Sequence, residues 1–160
     1  MPNWCSNSVT FRHDDKAQIE RMKTAFLEDR LLSEFVPPPE DLGEEWYAWN
    51  INNWGTKWEV NGSDDNIVDI GDTTITLYFD TAWGPPITFY ENLQEQGWNV
   101  DGYYYESGMA LCGRFDENGD DYYEISGTIE EIEETLPKDI NETFGITENM
   151  QMWEDENGDD

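Results

Sequence analysis

Asp116-Glu117-Asn118-Gly119-Asp120-Asp121 is the stretch of this chain that comes nearest to metal chemistry. Asp-x-Asn-x-Asp is how a calcium loop begins, with alternate side-chain oxygens converging on the ion. The pattern then breaks. Asp121 stands where such a loop needs glycine for its sharp turn, and Gly127 where it needs a bidentate glutamate. What remains is an Asn-Gly hairpin tip with solvated carboxylates. Cys5 and Cys112 are the two thiols and His13 the one imidazole, too few for a zinc site. The cysteines make a redox pair only if the first strand adjoins the strand carrying Cys112; otherwise they are small buried hydrophobes. There is no Gly-rich phosphate loop and no Gly-x-Ser-x-Gly elbow. With 37 Asp and Glu residues, any one carboxylate pair of glycosidase type is uninformative. The chain reads as a non-enzyme with no cofactor and no metal.

Charge is the stronger signal. Eight Lys and Arg face 37 Asp and Glu over 160 residues, a formal net charge of −29. Residues 1–36 are nearly balanced, since Arg12, Lys16, Arg21, Lys23 and Arg30 all lie there. Beyond residue 36 only Lys57, Arg114 and Lys138 offset the acids. Self-repulsion of this size opposes compactness. Eight Trp, eight Tyr and seven Phe argue that the chain folds nonetheless, because each buries a large apolar area. The length suits one core, so residues 1–153 are expected to form a single domain, with 154–160 an acidic mobile tail. No apolar run is long enough to span a membrane, and the first residues lack the basic and apolar regions of a secretory signal. The expectation is a cytoplasmic protein.

The elements that must position these residues follow from periodicity. Residues 4–11 read as a strand, and Asp14 or Asp15 caps a helix over about 15–31 whose apolar face is Ile19, Met22, Phe26 and Leu27. Pro37-Pro38-Pro39 ends that unit. A short helix and a turn at Asn53-Trp54-Gly55 follow. Strands near 66–70 and 73–80 meet at Gly71-Asp72, and a helix over about 86–96 ends at Gly97. Three more strands, near 98–106, 109–115 and 121–126, turn at Ser107-Gly108 and Asn118-Gly119. Thr128 caps a helix over 129–136, and a helical piece near 138–144 comes after Pro137. The order predicts an α+β fold, a mostly antiparallel sheet with helices packed on one face.

Four segments taken together resemble the YubB ferredoxin-like family of phages, plasmids and mobile islands. They are Met1–Asn7, Asn53-Trp-Gly-Thr-Lys-Trp58, Phe79-Asp-Thr-Ala-Trp-Gly-Pro-Pro86 and Tyr105-Glu-Ser-Gly-Met-Ala-Leu-Cys-Gly113. The resemblance covers roughly residues 1–125. It implies a ferredoxin-like fold and a mobile-element origin, and it implies no reaction. The motif residues Trp4, Trp54, Trp58 and Trp83 are expected at the core or its rim, and Gly55, Gly84 and Gly113 in tight turns. The functional alternative is a candidate pocket built from Trp58, Trp83 and Cys112.

Two functions compete. The first is mimicry of nucleic acid. A domain of this length is about 40 Å across, and that length of duplex carries roughly 23 phosphates, the same order as the formal charge. The partner would be a nucleic-acid-binding protein with a basic groove, such as a restriction, CRISPR or repair nuclease. The carboxylates expected to meet it are Glu40, Asp41, Glu44 and Glu45; Asp64, Asp65, Asp69 and Asp72; Asp116, Glu117, Asp120 and Asp121; and Glu130, Glu131, Glu133 and Glu134. The other is a protein-binding module that uses a Trp/Tyr patch, with the charge serving solubility. Direct binding of nucleic acid by Tyr103, Tyr104, Tyr105, Tyr122 and Tyr123 is disfavoured by the shortage of Lys and Arg, and the same field argues against an anionic membrane.

Overall fold

A computed structural model describes residues 3–157. The elements run β1 (Trp4–Arg12), α1 (Lys16–Leu27), α2 (Leu31–Phe35), α3 (Trp46–Asn53), β2 (Ile67–Ile70), β3 (Thr74–Ala82), α4 (Ile87–Glu95), β4 (Asn99–Glu106), β5 (Leu111–Asp116), β6 (Gly119–Glu124), α5 (Ile129–Thr135), α6 (Lys138–Phe144) and α7 (Ile146–Asn157). The strands form one sheet in the order β2-β3-β1-β4-β5-β6, and every neighbouring pair is antiparallel. β3 and β4 therefore run parallel to each other with β1 between them, and α4 makes the crossover.

Strand alternation builds the main core. Cys5, Asn7, Val9 and Phe11 of β1 are buried while Ser6, Ser8 and Thr10 are half-exposed. Register places Val9 opposite Leu77 on one side and Gly102 on the other. Ile19, Met22 and Phe26 of α1, with Phe89, Tyr90 and Leu93 of α4, cover that face of the sheet. Each such side chain, fully buried, contributes about 1.5–3 kcal/mol. The Asp15 carboxylate caps α1 by accepting from the Ala17 amide at 2.9 Å. The expected single helix over 15–31 is instead two helices. Asp29 breaks it at φ 59°, and its carboxylate accepts from the Gly62 amide at 2.8 Å.

Helices on one face was the expectation, and the structure corrects it. A second core lies on the opposite face. Cys112, Ile132, Leu136, Ile140 and Ile146 pack there with Tyr103, Tyr105 and Tyr123. α5, α6 and α7 thus roof the β4-β5-β6 half of the second face, while the β2-β3-β1 half stays open. The tail expectation is also corrected in part. Residues 154–157 continue α7, and 158–160 lie outside the described residues. Gly113 is no turn residue. It sits mid-strand in β5, where a Cβ would run into the Tyr104 hydroxyl and the Asp121 carbonyl. Gly55 does turn the chain, at φ 83°.

Candidate binding surfaces

The predicted carboxylates are all exposed except Asp116, which is half-buried. They lie on separate elements. Asp69 is on β2 and Asp72 in the β2–β3 turn, at one edge of the sheet. Asp120 and Asp121 are on β6, at the other edge. Five strand spacings separate the edges, about 24 Å. Glu40, Asp41, Glu44 and Glu45 precede and enter α3, and Asp64 and Asp65 form a 3₁₀ turn before β2. On α5, Glu130, Glu133 and Glu134 face solvent and Ile132 faces the second core. The Thr128 hydroxyl caps that helix, accepting from the Glu131 amide at 3.2 Å. α7 packs beside α5, and its own exposed Glu148, Glu154, Asp155 and Glu156 widen the acidic helical surface. The sequence reading missed Glu154, Asp155 and Glu156 by treating 154–160 as tail, and left Glu148 without an element. The signal was present: Ile146, Met150 and Trp153 recur at helical spacing.

Three arginines are committed to partly exposed ion pairs, while Arg12, Lys16 and Lys138 stay exposed. Arg21 Nε donates to Glu34 Oε1 at 2.8 Å and Nη2 to the Glu34 carbonyl at 3.0 Å, while its guanidinium lies 4.3 Å from the Phe35 ring centre. Arg30 also donates to Glu34, and pairs with Glu28 at 3.3 Å. The Arg21 hydrogen bond, helped by Arg30, holds the Glu34 pKa below its ordinary value. Arg114 binds Asp101 through two nitrogens, at 3.1 and 3.2 Å, and approaches Asp139 at 3.6 Å. Among the described residues, Asp72 is the one predicted carboxylate within ion-pair distance of a cation, Lys16 at 3.5 Å. The rest of the predicted carboxylates have no described cation within that distance, and with a formal net charge of −29 the outward field is strongly negative. The Asp116–Asp121 tip is a hairpin between β5 and β6, and no described group of three or more His, Cys, Asp or Glu residues is arranged to hold a metal.

The aromatic candidates divide. Cys112 is buried under the C-terminal helices beside Tyr105 and Tyr123, away from Trp58, so the Trp58–Trp83–Cys112 pocket does not form. Cys5 faces the main core and Cys112 the second. β4 separates their strands, about 10 Å by strand spacing, too far for a disulfide. Burial pushes the Cys5 thiol up to about 12 and the Cys112 thiol up to about 11, so both stay protonated. The tyrosines make no common platform either. Tyr104 points into the main core, its hydroxyl donating to Asp120. Tyr103 and Tyr105 lie under α6, the former donating to Asp139 at 2.9 Å and the latter tilted against Phe144 with ring centres 5.6 Å apart.

Of the four motif tryptophans only Trp54 is buried; Trp4, Trp58 and Trp83 are exposed. Trp83 sits past the end of β3 at φ 73°, its amide bound to the Asn3 carbonyl at 2.8 Å. Trp4 and Trp58 meet at 5.9 Å and, with Tyr78 and Asp80 of β3, wall a cleft of about 640 Å³. Lys57 lies 4.4 Å from the Trp58 ring centre and 5.5 Å from that of Tyr47, which in turn contacts Trp46. An aromatic strip thus runs over the surface from Trp46 to Trp4.

Comparison of the chain with protein-family models, with curated proteins and with solved structures finds no match. No described helix is long and apolar enough to cross a membrane.

Proposed function

We propose that this protein is a non-enzymatic inhibitor that mimics nucleic acid and occupies the basic groove of a nucleic-acid-binding protein. One observation carries the reading: apart from Asp72, the exposed carboxylates singled out from the sequence stand on many elements without an ion-pair partner among the described residues, while Arg21, Arg30 and Arg114 pair with Glu34, Glu28, Asp101 and Asp139 instead. A protein that used acids only for surface ion pairs would distribute its cations among them. Unpaired carboxylates instead leave a strong field, which steers a basic partner and is neutralised when that partner arrives. The sheet order β2-β3-β1-β4, with β1 threaded between β3 and β4, is compatible with a ferredoxin-like core to which β5, β6 and the C-terminal helices are added. The resemblance drawn from the sequence is the ground for proposing a phage or mobile-element origin, action in a host cytoplasm and an anti-defence target such as a restriction or CRISPR nuclease.

The test is capture of nucleic-acid-binding proteins from host lysate by the wild type and by a Glu130→Lys/Glu133→Lys/Glu134→Lys variant. It is run at about 0.1 M and 0.5 M salt, where the screening length shrinks from about 10 Å to below 5 Å. Duplex DNA serves as competitor. The expected result is a partner released by salt, displaced by DNA and lost to the variant. A partner indifferent to all three sinks mimicry. It would favour the second reading, a protein-binding module acting through the strip from Trp46 to Trp4, which the exposure of those aromatics supports.

A further inference from the structure

We propose that the cleft between Trp4, Trp58 and Tyr78, with Asp80 at its mouth, is a cage for an arginine side chain of the partner. The inference deepens the mimicry reading and rests on it, because a basic groove is what supplies the arginine.

The cleft is built, not incidental. Trp4 takes the open face of the sheet because Cys5 takes the buried one, and Tyr78 lies between buried Leu77 and Phe79 on β3. Trp58 is held from both sides. The Lys57 carbonyl accepts from Asn50 Nδ2 at 2.7 Å. The Glu59 carboxylate accepts from the Leu32, Ser33 and Val60 amides at 2.7–3.0 Å, and Val60 is fully buried. β2 begins pairing only at Leu77, so among the described residues no strand covers the β3 edge at Tyr78 and Asp80. Fixed walls lower the ordering cost of binding.

Chemistry selects the occupant. Two indole faces and a phenol attract a cation through their ring quadrupoles, and a guanidinium, planar and weakly hydrated, stacks on such faces better than an ammonium. Lys57 shows the attraction within the chain itself, lying over the Trp58 ring. No Lys or Arg lines the cleft. Its two carboxylates are Glu59 and Asp80, and Glu59 is committed to the three amides. Asp80 has no cation within ion-pair distance among the described residues. Asp80 is exposed on the open face beside Ser6, where partial burial of its carboxylate raises its pKa against the Ser6 hydrogen bond, so its oxygens are free to accept a charge-assisted hydrogen bond from an arriving guanidinium.

The experiment follows the indole N–H resonances of Trp4 and Trp58, assigned with Trp4→Phe and Trp58→Phe, at constant ionic strength. The probes are N-acetyl-arginine methylamide, its neutral citrulline analogue and N-acetylglucosamine. The arginine probe is expected to shift both resonances saturably, with a dissociation constant on the order of 10 mM. Asp80→Asn is expected to weaken it about fivefold or more. Equal shifts with citrulline, a saccharide preferred over arginine, or unmoved indoles up to about 0.1 M probe overturn the cage. The outcome is separable from that of the capture experiment. Unmoved indoles beside a DNA-displaceable partner would end the cage and leave mimicry standing. Saturable arginine shifts with no basic partner captured would do the reverse.

Discussion

One face of the sheet has two halves that treat water differently. Over β4, β5 and β6 it is roofed by α5, α6 and α7, and over β2, β3 and β1 it is bare. The strands beneath differ in the same way. β3 alternates Ile75, Leu77 and Phe79 with Thr74, Thr76 and Tyr78, the pattern of a sheet solvated on one side. β4 carries Tyr103, Tyr104 and Tyr105 in an unbroken run, and apolar residues on both faces mark a strand buried on both. The bare half holds the cleft; the roofed half holds the acidic helices. Each half has given up something: an uncovered aromatic strip on one side, helices loaded with like charge on the other.

Cavity formation under the roof should produce the largest difference between the halves. Ile140→Ala removes a buried side chain from the second core and is expected to cost about 2–4 kcal/mol, read as a lower denaturation midpoint. Thr10→Ala on the bare half removes one hydroxyl contact with Thr76, at 2.8 Å, and should cost less than about 1 kcal/mol. Equal losses would mean that the C-terminal helices add little to the stability of the sheet.

Next comes Gly113→Ala. The added methyl meets the Tyr104 side chain and the Asp121 carbonyl, on the face opposite the roof. Overpacking of this kind costs about 1–3 kcal/mol. Tyr104→Phe should recover part of it, since the hydroxyl is one of the obstacles and the backbone carbonyl is the other. A full recovery would show that the strand backbone shifts freely there.

How much of this was legible divides along the same line. The main core could be read from the sequence because period-two and helical spacing agreed: Ile19, Met22 and Phe26 against the alternating strands β1 and β3. The roof could not. Its apolar residues are few and widely spaced (Ile132, Leu136, Ile140 and Ile146), and the acids between them look like a solvated face. The Tyr run on β4 was the missed sign that something covers the second face. The cleft was half legible. Trp58 was singled out, but Cys112 was taken as its neighbour because both lie in the segments of family resemblance, and proximity in a motif says nothing about which face of a strand a residue takes. Trp4 and Tyr78 were findable by parity, since each lies on the polar side of its strand.

Asp80→Asn sharpens the comparison through pH. The folded pKa of Asp80 is raised, so the ionised carboxylate is the disfavoured form in the folded protein. Stability associated with it is fully present below the unfolded pKa and is lost as pH rises through the folded one. The variant should therefore be more stable than wild type at neutral pH, by a few tenths of a kcal/mol after solvent screening, and no more stable in acid. A gain that persists in acid would trace to packing and not to charge. A gain confined to neutral pH would mean that the cleft keeps a carboxylate at some cost to stability, in keeping with the usual conflict between function and fold.

On the roofed half the smallest effect lies at the end of α7. Its last turn holds Glu154, Asp155 and Glu156 and no basic residue, so negative charge meets the negative end of the helix dipole. Glu156→Lys reverses one of these and should stabilise the helix by about 0.3–1 kcal/mol at low salt, with the gain shrinking as salt is added. Helicity by circular dichroism and amide exchange across residues 150–157 would show it. A partner groove that supplies lysines and arginines would do what the substitution does, neutralising the end of α7 from outside. If Glu156→Lys tightens the helix yet weakens partner capture, the unfavourable charge is retained for binding. If it tightens the helix and leaves capture unchanged, the end of α7 lies outside the contact and the acids of the other elements carry it.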